Sequence, residues 1–314
     1  MKQSKLVLAT GISMLACIAS AAPTYAAPAA STAVQGIILR SDKDGNSELY
    51  SIDPATHASV RLTNNLAEDM DGSWSPDGGF VVFSSNRGDG RHFQLYTLNY
   101  ATKAVTQLTT VPNANFVTPV WSPDGSTIAF VSQYDSDATS GISTMHSDGT
   151  GIKEVTRSKT FQLQYPAWSP DGSNLLTIGF GGGSAPDVYR LTLTTGKLQL
   201  LAHNGFPAVY SPDGTQIAFS RRDTNFVQQV VLMKADGTQQ QQMTHDPQVS
   251  RWVADWSPDG KQLLLNELVG NPANDNVQDI GVRTLSLESS VETNIATNAT
   301  LPGFTYFSSE GSWR

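Results

Sequence analysis

Apolar and polar residues alternate along most of this chain with a period of two. Phe80-Val81-Val82-Phe83, Thr127-Ile128-Ala129-Phe130, Gln216-Ile217-Ala218-Phe219 and Gln262-Leu263-Leu264-Leu265 are short runs of this kind. A period of two places alternate side chains on opposite faces of a sheet, so each run predicts a strand. Further strands are predicted at Gln94-Leu95-Tyr96-Thr97-Leu98, Asp187-Val188-Tyr189-Arg190-Leu191, Val105-Thr106-Gln107-Leu108-Thr109 and Gln242-Met243-Thr244. No helical stripe follows residue 30. The pattern is all-β.

One stretch organises these strands. Trp74-Ser75-Pro76-Asp77-Gly78 returns as Trp121-Ser122-Pro123-Asp124-Gly125 and Trp168-Ser169-Pro170-Asp171-Gly172. It returns again as Tyr210-Ser211-Pro212-Asp213-Gly214 and Trp256-Ser257-Pro258-Asp259-Gly260. The serines stand at 75, 122, 169, 211 and 257, giving steps of 47, 47, 42 and 46 residues. A period in that range marks a repeat array. Pro fixes φ near −65° at the second turn position, Asp tolerates the bridge region, and Gly accepts the positive φ that follows. The aromatic before each turn is large and apolar, which predicts burial between repeats. Each repeat then reads as a strand ending in the aromatic, the turn, and three further strands. Turns such as Asp148-Gly149-Thr150 and Asp236-Gly237-Thr238 join the last two. Four antiparallel strands per repeat make a propeller blade.

The chain ends predict how the ring closes. Strands are expected at 36–40, 49–52 and 60–62, with no SPDG turn before them. Near the C-terminus, Phe307-Ser308-Ser309-Glu310-Gly311 is a worn copy of the repeated stretch, with Ser308 lying 51 residues after Ser257. Residues 304–308 are therefore expected to supply the missing first strand of the N-terminal blade. Five full blades and this shared one give a six-bladed β-propeller whose closure removes free sheet edges.

The SPDG repeats, Glu48-Leu49-Tyr50, and the strand ends Leu62-Thr63 and Leu108-Thr109 resemble the TolB-type β-propeller repeat over residues 36–314. TolB itself carries an α/β domain before its propeller, and prolyl-oligopeptidase-type enzymes join theirs to a hydrolase domain. The present chain resembles a freestanding propeller. The resemblance implies that the SPDG turns lie on one face of the disc. The loops between second and third strands, and those between blades, then lie on the other.

Residues 1–26 read as a secretory signal: Lys2 and Lys5, an apolar run from 6 to 22, and a small-residue site at Thr24-Tyr25-Ala26. The run is too short for a comfortable membrane span. Residues 27–35 form an Ala/Pro/Ser linker, and 36–314 the propeller. The expected location is the periplasm or the extracellular space, with no transmembrane segment in the mature chain. The one cysteine, Cys17, falls inside the signal; Met14-Leu15-Ala16-Cys17 offers lipidation as a second reading. The net charge is −8, with no basic stripe, which argues against nucleic acid as a partner.

The SPDG-side turns are nearly identical between blades, whereas the opposite loops differ and carry the unusual side chains. Loops on a rigid scaffold are the usual place for function. From them we draw the expected partner-binding set: Asp69, Asp71, Arg91, His92, Phe116, Tyr134, Tyr165, His203, Phe206, Arg251 and Trp252. Aromatics mixed with Arg and carboxylates suit a protein–protein contact. No catalytic residue is assigned, since the chain has no G-x-S-x-G elbow. The Gly-rich stretch at 179–184 matches neither a P-loop nor a dinucleotide fingerprint. No cofactor and no metal are assigned either, because the five histidines form no ligand-spaced pair. His92, His203 and His245 share the loop face, however, and the related oligogalacturonate lyases use such a cluster with a metal. The leading expectation is a non-enzymatic module that binds an envelope or extracellular protein at the channel mouth. The alternatives are a carbohydrate-acting enzyme or small-ligand binder with its site in the channel, and an architectural subunit that uses its rim.

Overall fold

The computed structural model describes residues 36–181, 185–224, 226–271 and 276–297. Among them the regular structure is entirely strand. No helix there is long and apolar enough to cross a membrane. Blade I holds β1 (Ile37–Ser41), β2 (Glu48–Ile52) and β3 (Ser59–Arg61). Blade II holds β4 (Asp69–Trp74), β5 (Phe80–Ser85), β6 (Gln94–Asn99) and β7 (Val105–Gln107). Blade III holds β8 (Ala114–Trp121), β9 (Thr127–Tyr134), β10 (Gly141–His146) and β11 (Lys153–Arg157). Blade IV holds β12 (Gln162–Trp168), β13 (Asn174–Phe180), β14 (Asp187–Thr192) and β15 (Lys197–Ala202). Blade V holds β16 (Gly205–Tyr210), β17 (Gln216–Arg222), β18 (Gln228–Lys234) and β19 (Gln241–Gln242). Blade VI holds β20 (Val249–Trp256), β21 (Gln262–Asn271), β22 (Asn276–Ser286) and β23 (Glu292–Thr297). Within each sheet the strands pair antiparallel in sequence order. This is a six-bladed β-propeller. Residues 304–308, expected as the innermost strand of blade I, lie outside the described residues.

Among the described residues the core is divided into six apolar clusters, one per blade interface. Ile38 and Leu49 meet Trp74 and Phe83 between blades I and II. Val82 and Leu95 meet Phe116, Trp121 and Phe130 between II and III. Ala129 and Val131 meet Leu163 and Leu175 between III and IV. Leu176 and Ile178 meet Ile217 and Phe219 between IV and V. Ala218 and Val230 meet Val253, Leu263 and Leu265 between V and VI. The sixth cluster joins Leu264, Val282 and Ile295 of blade VI to Ile37, Leu39 and Ile52 of blade I. The ring is thus closed by side-chain packing. The period of two explains the division: Val81 faces blade I and its neighbour Val82 faces blade III. Each fully buried Phe or Leu contributes about 1.5–3 kcal/mol over leaving it exposed.

The SPDG turns repeat one hydrogen-bond pattern. In blade III the Ser122 hydroxyl donates to Asp124 Oδ1 at 2.6 Å and accepts the Thr127 N–H at 2.9 Å. Asp124 Oδ1 also accepts the Ser126 N–H at 3.0 Å. The turn closes with Gly125 N–H donating to Ser122 O at 2.9 Å, and Gly125 has φ +71°. The same serine–aspartate bond, 2.6 Å, recurs at 75/77, 169/171, 211/213 and 257/259. The serine hydroxyl and the aspartate Oδ1 are satisfied within the turn, so one sequence can be reused in every blade.

Candidate partner-binding channel

First strands of successive blades lie side by side: β4 against β8, β8 against β12, β12 against β16 and β16 against β20. They therefore form the wall of the central channel. Each is interrupted by a bulge, between Met70/Ser73, Val117/Val120, Gln164/Ala167, Gly205/Ala208 and Val253/Asp255. In blades II, III and IV the residue three before the blade aromatic sits in the left-handed region: Asp71 at φ +57°, Thr118 at +54° and Tyr165 at +54°. A bulge at this place turns a side chain out of the ordinary alternation. A cavity of about 470 Å³ occupies the channel, with Tyr165 at one end and the turn prolines at the other.

Strand 1 runs toward the SPDG turns and strand 2 runs back, so the second–third and inter-blade loops share the opposite face. There Tyr165, Phe180 and Phe206 form a three-ring group, with centroids 4.9, 5.5 and 6.2 Å apart. All three are half-buried. Trp252, also half-buried, holds the place in β20 that Phe206 holds in β16, four residues before the blade aromatic. Tyr134 closes β9 half-buried, edge-on to Phe116. Arg91 and His203 are exposed. Arg91 pairs with Asp135 at 3.3 Å, and His203 Nδ1 lies 3.1 Å from Asp187.

Five of the expected contact residues are instead buried. Phe116 is fully enclosed in the core between blades II and III, 5.0 Å from the Phe130 ring. Asp69 is held inside by Arg87 at 2.7 Å and by the Asn65 amide at 2.6 Å. Asp71 lies between blades II and III, where its carboxylate accepts the Thr118 N–H at 3.2 Å. Burial pushes the Asp71 carboxyl up, against the opposing effects of that N–H and of Arg40. Arg251 is enclosed by Glu292 at 2.9 Å and Glu267 at 3.5 Å, and Arg283 completes the group, 2.6 Å from Glu267. His92 is buried between Asp89 and Asp135. The reason is one of register. Strands β4, β8 and β20 begin earlier than the sequence suggests, so Asp69, Asp71, Phe116 and Arg251 belong to strands and not to loops.

Two residues of the same face were missed. Leu66, between blades I and II, is 100% exposed, and Phe226, between β17 and β18, is 67% exposed. Arg222 stands over the Phe226 ring at 6.0 Å. The sequence signal was weak: each is a single apolar residue in a polar loop. His92 and His203 of this face pair with different carboxylates, Asp89 and Asp135 for the one and Asp187 for the other, and no group of three His, Cys, Asp or Glu among the described residues is arranged to hold a metal.

The sequence profile of the TolB beta propeller domain matches residues 2–158 and 129–272. Among solved structures, TolB from Acinetobacter baumannii superposes with a TM-score of 0.67 at 18% identity, over 85% of this chain and 64% of that one. The present chain therefore spans less than two thirds of that protein. Putative TolB from Agrobacterium tumefaciens superposes at 0.66 and 19% identity, over 84% of this chain and 90% of that one. An oligogalacturonate lyase in complex with manganese reaches 0.57 at 19% identity, over 84% and 74%. At these identities the likeness to solved structures is one of fold, and the fold hosts both binding proteins and enzymes.

Proposed function

Because the chain belongs to the TolB β-propeller family, we propose that it is a protein-binding module whose loop face receives a segment of an envelope or extracellular protein. The observation that carries this reading is the placement of Leu66 and Phe226. The two most exposed large apolar side chains of the described residues stand on that one face. Isolated apolar residues in loops gain nothing from water, and burying each against a partner is worth about 1.5–3 kcal/mol. Beside them, Tyr165, Phe180, Phe206 and Trp252 give rigid aromatic surface around the channel, which costs little side-chain entropy to order. Arg91 and His203 at the rim supply charge that steers encounter and sets register. The ion pairs of Asp69 and Arg251, and the hydrogen bond of Asp71 to the Thr118 N–H, hold the strand ends that present these groups. Export by the N-terminal 26 residues would bring the module to such partners.

The test is affinity capture from native envelope extract with the purified protein as bait. A second bait carries Phe226→Ser and Trp252→Ala. The expected outcome is a partner retained by the first and lost by the second, both baits melting alike. Equal retention by the two, or no partner at all, would count against the loop face.

A further inference from the structure

The outermost strand of a propeller blade is a sheet edge, and an edge templates further pairing unless the sequence blunts it. Among the described residues the last strand of each sheet is paired on one side only. Five of these six edges are blunted. Strands β3 and β7 have three residues each and β19 has two. Val60 on β3 and Val105 on β7 are exposed, but on strands too short to template another. Strand β11 is charged along its length, with Lys153 and the Arg157–Glu154 pair at 2.6 Å. Strand β23 has six residues but turns Thr293 and Asn294 to solvent. Strand β15 also has six, Lys-Leu-Gln-Leu-Leu-Ala, with no proline and no charge after Lys197.

The blades can be compared at one register position of this edge. It holds Arg61, Gln107, Glu154, Gln242 and Asn294 in five blades, opposite Tyr50, Tyr96, Ser143, Val231 and Arg283 of the neighbouring strand. In blade IV it holds Leu200, opposite Tyr189. Leu200 is 41% exposed. Phe161 stacks on the Tyr189 ring, with centroids 5.4 Å and planes 12° apart. Leu198, two residues earlier and on the same face of the sheet, is half-buried. Apolar surface thus reaches the rim of the disc at blade IV, where the other blades place a polar side chain.

We propose that β15 pairs antiparallel with β15 of a second copy of this chain, joining two blade IV sheets rim to rim. A two-fold axis at Leu200 sets Leu200 against its own copy and Leu198 against Ala202, apolar on apolar on one face. The charges favour the same direction. Lys197 opens β15, and Asp187 stands where β15 ends, its Oδ1 3.1 Å from His203 Nδ1. Oδ1 also accepts the Asn204 N–H, so among the described residues both bonds use one oxygen and Oδ2 faces no donor. In the two-fold register each Lys197 lies opposite His203 of the other copy, beside Asp187, and the pair forms twice. A parallel pairing would instead set Lys197 against Lys197. The contact lies on the outermost strand, away from the first strands that line the channel, so it is separate from the loop face.

The test is the mass of the purified protein by sedimentation equilibrium over about 1–100 µM, the range suited to a small edge interface. The mass should climb from one chain toward two as concentration rises. Leu200→Arg gives blade IV the residue type that blade I carries at this position. It should weaken dimerisation at least about tenfold and melt with the wild type. Lys197→Glu should weaken it less, and Phe226→Ser, on the loop face, should leave it unchanged. Cross-linking reads the register. In a Cys17→Ser background, Leu200→Cys should give a disulfide-linked dimer under mild oxidation, and Asn294→Cys, at the same position of β23, should not. A mass of one chain throughout, a dimer indifferent to Leu200→Arg, or equal cross-linking at positions 200 and 294 would overturn the proposal. A dimer lost on Phe226→Ser would also overturn it, by moving the contact to the loop face.

Discussion

The indole N–H of Trp168 donates to the backbone carbonyl of Val120, 3.1 Å away in the preceding blade. Trp256 makes the corresponding bond to Val209 at 3.3 Å. The repeated aromatic thus fills an interface and also pins neighbouring first strands edge to edge. Trp121 fills its interface without this bond, since its buried indole nitrogen has no acceptor among the described residues. The two positions should therefore respond differently to one substitution. Trp168→Phe should lose about 1 kcal/mol through the broken bond, whereas Trp121→Phe removes an unsatisfied donor and should cost less. Trp121→Ala, which empties the site, should cost about 3–5 kcal/mol. Urea unfolding of the three variants decides the matter; an equal loss in both Phe variants would deny the bond any role.

A second prediction concerns acid. Asp124 is held below its ordinary 3.8 chiefly by the Ser122 hydroxyl and the Ser126 N–H. A carboxylate depressed by folding adds stability that is present above the unfolded value and is lost as pH falls through the folded one. Asp171, Asp213 and Asp259 share the pattern, so their effects should sum in one acid transition. Ser122→Ala should move the Asp124 titration upward, toward 3.8, and shift the acid midpoint of unfolding upward. Carboxyl NMR titration reads the first effect and a melt series between about pH 2 and pH 6 reads the second. An unmoved Asp124 titration would refute the local account.

Most of the fold was legible because each blade solves its turn with its own residues. Ser, Pro, Asp and Gly satisfy one another within a few positions, so the repeat can be read without knowing its neighbours. The site was less legible, for a matching reason. Whether Phe116 is exposed depends on Phe130 and on Val82 of another blade. Asp71 looked like a surface carboxylate until the bulge at Met70/Ser73 turned it toward Thr118, 47 positions away. Phe226 differs in the other direction, being an aromatic left 67% exposed on a loop. Non-local packing decides such cases, and the alternating pattern carries no record of it.

Arg251 and Arg91, both expected as partner contacts, should separate cleanly. Arg251 is enclosed with Glu267 and Glu292, and burial raises the Glu267 carboxyl against the pull of Arg283 and Arg251. Removing one member of a buried ion group leaves charge uncompensated, at a cost of about 3–5 kcal/mol. Arg251→Ala should therefore lower the melting temperature markedly. Arg91 is largely exposed in its pair with Asp135, so Arg91→Ala should change stability by about 1 kcal/mol or less. Differential scanning fluorimetry compares them; equal losses would mean that the burial of the Arg251 group does not govern its energetics.

His92 ties the loop after β5 to the loop after β9, with Nδ1 2.7 Å from Asp89 and Nε2 3.3 Å from Asp135. The hydrogen bond to Asp89 raises the imidazole above its ordinary 6.5, desolvation opposes this, and Asp135 assists. The same contact holds Asp89 well below its ordinary 3.8. The signs differ. A raised histidine adds stability that is complete below 6.5 and fades as pH rises through the higher folded value. The depressed Asp89 adds stability that is present above 3.8 and fades as pH falls through the lower folded value. Together they define a plateau bounded by the two pairs of values. The difference in melting temperature between the wild type and His92→Gln should be largest near pH 5 and should shrink above pH 7. Because Arg91 precedes His92 and shares Asp135, the loop-face rim should loosen over the same alkaline range, and hydrogen exchange of residues 89–92 should quicken there. A melting difference that stays constant from pH 5 to pH 8 would show that His92 acts by packing and not by charge.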